Sequence, residues 1–274
     1  MAKKYTLDEL LIISAAREIK DGDCVILGVG LPTTAGAVAK ALFAPNATLM
    51  MESGIIDIEP LVPPNHIADA NSCRGFSYAT DLFSMFTMTY RGFVDVCFLG
   101  VAQIDKFGNI NTTVIGDYNK PDMRLPGSGG APEFISYAKR TVLTMRGGEF
   151  VEKLDYLTSP GYLDGGNSRE QTGLFPKGSG PSMLLTTQGV FRFDEVTKEM
   201  VLTQLHPGIT VDMVKKDIPW ELKVADSVAV TPPPSDEEIN FIRRFAPTES
   251  VGRKVMYELG IMNTFRKAAE RGKM

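Results

Sequence analysis

Apolar residues in this chain come in short unbroken runs, most of them running into glycine or a charged residue. CVILGVG at 24–30, ATLMMES at 47–53, VDVCFLG at 94–100 and RTVLTM at 140–145 are of this kind. Continuous apolar runs fit strands buried on both faces, as in a parallel sheet covered by helices. Between them the spacing turns helical. Thr6 and Glu9 stand at capping-box spacing and open a helix bearing Leu7, Leu10, Leu11, Ile13 and the apolar positions through Ile19, stopped by Asp21, Gly22 and Asp23. A small-residue helix at 33–44 lies between the first two strands, so strand, helix and strand make one βαβ unit with parallel strands.

Further on, the pattern loosens. The segment 100–134 is dense in Gly, Asn, Asp and Pro, and 158–181 is a second such stretch. Long structureless segments inside a compact domain usually carry function. SMLLTTQGVFRFD and EMVLTQL alternate around a turn and predict a late antiparallel pair. Thr210 is placed to cap a helix at 211–216, and the chain from Asp236 onward reads as helical. The expected fold is α/β: an open, mostly parallel sheet flanked by helices, forming a single domain over 1–245, with a helical C-terminal extension at 246–274.

Composition narrows the function classes. The chain has 274 residues and a formal net charge of −4, with charges mixed rather than blocked, so no nucleic-acid footprint is expected. Three cysteines, Cys24, Cys73 and Cys97, are too few and too scattered for a disulfide framework. Cys73 beside Arg74 reads as a buried structural thiol. No apolar run approaches the length of a membrane span, and the N-terminus lacks the apolar core of a signal peptide. The expectation is a cytoplasmic protein. His66 and His206 stand far apart with no cysteine pair beside them, which makes a zinc site improbable. No G-x-S-x-G motif occurs to anchor a serine triad.

The candidate chemistry gathers at strand ends. Gly28, Gly30 and Gly36 follow the first strand, where a glycine turn lets N–H groups approach an anion at a helix N-terminus. Thr33 stands where the dinucleotide fingerprint needs its third glycine. Glu52 ends the second strand, followed by Ser53 and Gly54. A carboxylate there is costly unless paired or hydrogen-bonded. It reads equally as a ribose ligand, an acid–base group, a nucleophile, or an acid neutralised by neighbouring amides. Gly127, Ser128, Gly129, Gly130 and Ala131 make a glycine cluster suited to an N–H nest for phosphate or an oxyanion, or to a plain surface turn. QIDKFGNIN at 103–111 reads by itself as turn chemistry.

The order of these motifs is more specific than any one of them. GVGLP (28–32), MESG (51–54), FLGVAQIDKFGNIN (98–111), IGDY (115–118), GSGGA (127–131) and SPGYLDG (159–165) together resemble the β subunit of a family I CoA-transferase, of the glutaconate CoA-transferase type. The resemblance covers about residues 7–245. It implies an open α/β fold and a homologous α subunit as partner, in a heterodimer or higher oligomer. It implies CoA esters and carboxylic acids, a dicarboxylic acid such as glutaconate among them, as substrates, with no permanently bound cofactor and no metal. Glu52 maps onto the family's catalytic glutamate, which carries CoA as a thioester. Gly28, Gly30 and Gly54 are then expected backbone donors to the tetrahedral centres, residues 127–131 the acyl-CoA contacts, and Gln103 and Asn109 residues that shape the site. Hydrolysis, decarboxylation or ring opening of an acyl-CoA on the same scaffold is the alternative.

Overall fold

The computed structural model describes residues 5–246. Thr6 and Glu9 cap each other reciprocally at the start of α1 (Leu7–Ala16). β1 (Cys24–Leu27) then enters the glycine turn. Gly30, at φ +93°, caps α2 (Leu31–Leu42), in a backbone conformation that favours glycine. Gly36 lets α2 lie close on β1, because a Cβ there would fall 2.6 Å from Leu27 Cδ1. β2 (Thr48–Met51) pairs in parallel with β1 and completes the βαβ unit.

After the turn at 52–54 come β3 (Ile55–Ile56) and β4 (Tyr78–Ala79), then α3 (Leu82–Tyr90), whose first turn is capped by Asp81. β5 (Val96–Gly100) follows. The next segment contains more structure than its composition suggests. It holds β6 (Gln103–Ile104), β7 (Ile110–Asn111), and a hairpin of β8 (Val114–Gly116) with β9 (Pro121–Arg124). α4 (Ala131–Tyr137) leads into β10 (Arg140–Met145), and β11 (Glu149–Phe150) returns to pair with β6. A short α5 (Ser168–Gln171) sits in the second loop-rich stretch. The chain continues through β12 (Pro181–Thr186), β13 (Gly189–Phe193), β14 (Met200–Leu205), α6 (Val211–Lys216), β15 (Lys223–Val230) and α7 (Asp236–Phe245). The expected extension at 246–274 lies, but for Ala246, outside the described residues.

The main sheet has ten strands in the order β15-β14-β13-β12-β10-β5-β1-β2-β3-β4. Its centre, from β12 to β2, is parallel, and antiparallel pairs flank it on both sides. The late antiparallel hairpin is present as β12–β13, extended by β14. Alternate residues of each strand feed opposite layers. Val25, Leu27, Leu49 and Met51 pack under α1 and α2, while Ile26, Met50 and Cys97 face Met85 of α3 and Phe134 of α4. β1 sits between β2 and β5, so the chain leaves β1 toward one side and later returns on the other. Open α/β sheets bind ligands at such a reversal, outside the carboxyl ends of the strands. Glu52 lies at that edge. One local expectation fails: Cys73 is exposed, not buried, because it ends a surface 3-10 turn at 70–73.

Candidate active site

Met50 and Met51 are fully buried, which fixes the end of β2 and delivers Glu52 to a half-buried position at the sheet edge. The turn after it is clamped by two neighbouring segments. Gly54 N–H donates to Met51 O at 3.0 Å, Thr80 N–H donates to Gly54 O at 2.8 Å, and the Ser53 hydroxyl donates to Ile67 O at 2.7 Å. Gly54 has φ +102°, and a Cβ there would fall 2.3 Å from Thr80 O, so no other residue fits. Its N–H is used within the turn. Gly54, expected as a donor to the tetrahedral centres, here donates within the turn and shapes it.

One oxygen of Glu52, Oε1, accepts the Gly130 N–H at 3.0 Å. Among the described residues no cation pairs with this carboxylate, and it accepts no other hydrogen bond. Burial pushes its pKa above the ordinary glutamate range. The Gly130 bond opposes that rise, and the nearby negative charge of Glu133 adds to it. A half-buried acid with one donor and no counter-charge is the kind of group found at reactive sites.

Gly130 is held by its surroundings. It stands at the N-terminus of α4, and a Cβ there would meet Phe86 at 2.6 Å, Phe134 at 2.7 Å and Glu52 Oε1 at 2.9 Å. The two rings pack edge to face with centroids 5.5 Å apart, tying α3 to α4 above the glycine. Gly129, at φ +49°, would place a Cβ 3.9 Å from Glu52 Oε1. Gly127 is pinned by mutual bonds with Thr112, its N–H on Thr112 O at 2.9 Å and its carbonyl accepting the Thr112 hydroxyl at 2.8 Å. The glycine cluster at 127–131 and the strand-end acid are thus brought together by contact.

At the neighbouring strand end, the N–H groups of Gly28 and Gly30 make no hydrogen bond to a carbonyl among the described residues. Thr33, the departure from the dinucleotide fingerprint, donates its hydroxyl to Gly28 O at 2.8 Å. It braces the turn that a third glycine would have left to the backbone alone.

The profile of the coenzyme A transferase family matches residues 9–217. The chain belongs to that family. It is 38% identical over 242 residues to the B component of the 3-oxoadipate CoA-transferase of Pseudomonas knackmussii, covering 87% of this chain and 92% of that one. It is 35% identical over 236 residues to the B component of the glutaconate CoA-transferase of Acidaminococcus fermentans, covering 84% and 88%. The crystal structure of glutaconate coenzyme A-transferase from Acidaminococcus fermentans superposes with a TM-score of 0.82 at 33% identity, over 89% of this chain and 95% of that chain. The decarboxylase AibA/AibB superposes with a TM-score of 0.76 at 26% identity, over 90% and 98%.

Within this CoA-transferase fold, Gln103 and Asn109 stand away from Glu52. Gln103 is buried, donates to Glu149 at 2.8 Å and Asp155 at 3.0 Å, and accepts from Asn111 at 2.7 Å. Asn111 in turn orders Thr113, which neighbours the Thr112 that holds Gly127. Asn109 donates to Asp105 and Leu163 O, and accepts from the amides of Gly161 and Leu163. These residues reach the site through the loops they tie rather than by contact. The sequence reading missed Phe86 and Glu133. Glu133 lies three residues past Gly130, beside the glycine cluster, whereas Phe86 lies in a segment without a motif. Nothing in the sequence alone says that the helix at 82–90 folds over the glycine cluster.

His206 is buried between the Thr231 hydroxyl and Thr186 O, each 2.9 Å away, and His66 lies on the surface. Among the described residues no group of three or more His, Cys, Asp or Glu side chains is placed to hold a metal. No helix among them is long and apolar enough to cross a membrane.

Proposed function

We propose that this chain is the β half of a two-subunit CoA-transferase whose nucleophile is Glu52. The observation that carries the reading is the Glu52 carboxylate itself: half-buried, without a counter-charge, and oriented by one amide of a glycine loop. The carboxylate attacks the carbonyl of an acyl-CoA, giving a mixed anhydride and CoA thiolate. The thiolate attacks the glutamyl carbonyl, releasing the first acid and leaving Glu52 as its CoA thioester. A second acid attacks that thioester, again giving an anhydride and thiolate. The thiolate then takes the new acyl group and restores the Glu52 carboxylate. Each exchange swaps one thioester for another, and ping-pong kinetics follow.

Each addition builds negative charge on a carbonyl oxygen. The unspent N–H groups of Gly28 and Gly30 follow β1, the strand beside β2, and suit that charge. Loss of one such donor typically costs about 3 kcal/mol of barrier stabilisation. Gly129 and Gly130 lie beside Glu52, and their loop, Gly127, Ser128, Gly129, Gly130 and Ala131, is assigned to acyl-CoA contact.

Two named relatives act on 3-oxoadipate and glutaconate, both dicarboxylic acids. A dicarboxylic acid is accordingly the substrate class assigned to this chain. The α partner is supported by the surface beside the site. On α3 and next to it, Phe83 is 78% exposed, Tyr90 66% and Phe93 53%, and Tyr78 on the edge strand β4 is 61% exposed. A concentration of exposed large apolar side chains on one stretch of chain is a feature of interaction surfaces.

The test is chemical. The αβ complex is incubated with an acyl-CoA and treated with borohydride or hydroxylamine, and its peptides are weighed. Modification confined to Glu52 supports the reading; transfer with Glu52 never modified overturns it. A second reading, decarboxylation or hydrolysis of an acyl-CoA, is favoured by the likeness to the AibA/AibB decarboxylase. Product analysis without an acceptor acid separates the two, since transfer alone requires the acceptor.

A further inference from the structure

Arg169 is 4% exposed, yet none of its partners is a carboxylate. Its guanidinium donates to Ile135 O at 2.9 Å and Ser136 O at 3.0 Å, to Gly161 O at 2.6 Å and Pro160 O at 3.2 Å, and to the Ser179 hydroxyl at 3.1 Å. The Phe175 ring lies 4.0 Å from its central carbon. Burying a cation is costly unless it is hydrogen-bonded. Here the compensation comes from carbonyl dipoles and an aromatic face. Ile135 and Ser136 are the last turn of α4, where a helix presents unpaired carbonyls and partial negative charge.

The other end of the same helix bears Gly130, whose N–H meets Glu52. A helix of this length behaves as one rigid body, because its hydrogen bonds couple each turn to the next. Displacement at residues 135–136 is therefore carried to residue 130. The loop at 160–161 that shares the guanidinium is independently fixed by Asn109, through the Gly161 N–H at 2.8 Å. Ser179 adds a tie from the same end of α4 to the 176–179 segment, its hydroxyl shared between Ser136 O at 3.0 Å and Pro176 O at 2.8 Å.

We propose that Arg169 is a positioning residue for the transfer reaction, which anchors the C-terminal end of α4 to the 160–161 loop and so fixes the Gly130 N–H on Glu52. The inference rests on the nucleophile reading given above. A planar fork of donors is needed because three chain segments meet there, and an ammonium has neither the span nor the geometry.

The test uses the full chain in complex with its α partner and compares Arg169→Gln and Arg169→Lys with the parent. Hydrogen exchange of the peptide covering residues 126–137 reads the helix and loop without any need for turnover. Single-turnover formation of the Glu52 thioester gives a limiting rate and a half-saturating acyl-CoA concentration separately. The expected result is faster exchange at 126–137 and a limiting rate lowered about 10- to 100-fold, with half-saturation changed less than about threefold. Arg169→Lys should fall between the parent and Arg169→Gln. Arg192→Gln, which removes the pair with Glu18 on another part of the sheet, serves as the control and should leave exchange at 126–137 unchanged. Should Arg169→Gln fail to fold, Arg169→Lys carries both measurements. Unchanged exchange and an unchanged limiting rate in a folded Arg169 variant overturn the proposal. So does a loss confined to half-saturation. If the parent complex forms no thioester at Glu52, the nucleophile reading fails, while the exchange measurement still decides whether Arg169 holds the helix.

Discussion

Glu52 and Gly130 meet through one hydrogen bond of 3.0 Å, with Oε1 accepting from the backbone N–H. The acid comes from the end of a strand and the amide from the start of a helix. Their contact joins the two halves of the site.

Glu52→Gln keeps an oxygen that can accept from Gly130 but removes the proposed nucleophile. The chain should fold with its melting temperature close to the parent's, and transfer should fall by at least about a thousandfold. Thermal unfolding and steady-state transfer, measured on the same preparation, check both halves of the statement.

Gly130→Ala places a methyl group 2.6 Å from Phe86, 2.7 Å from Phe134 and 2.9 Å from Glu52 Oε1. Overpacking of this kind costs about 1–3 kcal/mol. Transfer should drop further than that stability loss accounts for, since the donor moves off the carboxylate. Gly147→Ala is the comparison, with nothing within 4 Å of the added carbon; it should leave transfer as it was.

The pH dependence follows from the raised pKa of Glu52. Burial, the largest cause, favours its protonated form in the folded chain, so the folded state holds its proton to higher pH than the unfolded state. Stability contributed through this group is full below the ordinary value of 4.5 and is lost as pH rises through the folded value. The melting temperature of Glu52→Gln should therefore gain on the parent's as pH is raised through this window. Thioester formation needs the carboxylate, so its acid limb should lie above 4.5. Glu133→Gln removes a repelling charge and should move that limb toward lower pH.

Asn109→Ala tests whether the loop network supports the site at a distance. The change strips a partner from the buried amide of Gly161, the half-buried amide of Leu163 and the half-buried Asp105 carboxylate, and removes the two side-chain bonds that Asn109 donates. Unsatisfied buried groups cost about 1–3 kcal/mol each, so denaturant unfolding should show a loss of at least about 2 kcal/mol. Transfer should fall less than in Gly130→Ala, because Asn109 touches neither Glu52 nor the glycine cluster.

Phe83→Glu tests the proposed partner surface. At 78% exposure this ring stabilises little within the chain itself. The variant should melt as the parent does, yet fail to co-purify with the α subunit. Size-exclusion chromatography of the mixture reads the outcome.

Much of this was legible in the sequence because the central strands are buried on both faces. Val25 to Leu27, Leu49 to Met51 and Val142 to Leu143 leave no polar alternation to confuse the reading. Caps with local partners were equally readable, since Thr6 with Glu9 and Thr210 with Met213 act within one turn. β15 escaped notice, because its burial is partial and its partner β14 stabilises it across a long connection. The site divides in the same way. Glu52 and the glycine cluster announce themselves locally. The clamping of the turn at Gly54, the ring pair over Gly130 and the anchoring of α4 by Arg169 depend on which segments meet.

The Glu52–Gly130 contact spans 78 residues of chain. At ribosomal speeds of about 5–20 residues per second, the acid emerges about 4–16 s before its amide partner exists. The first βαβ unit can already bury Met51 during that interval, while Met50 still waits for α3 and α4, and Glu52 stands at the end of a nascent strand with nothing to orient it. On the proposed role of Glu52, its oriented carboxylate is therefore a property of a chain long enough to include the start of α4, and of no fragment ending before it.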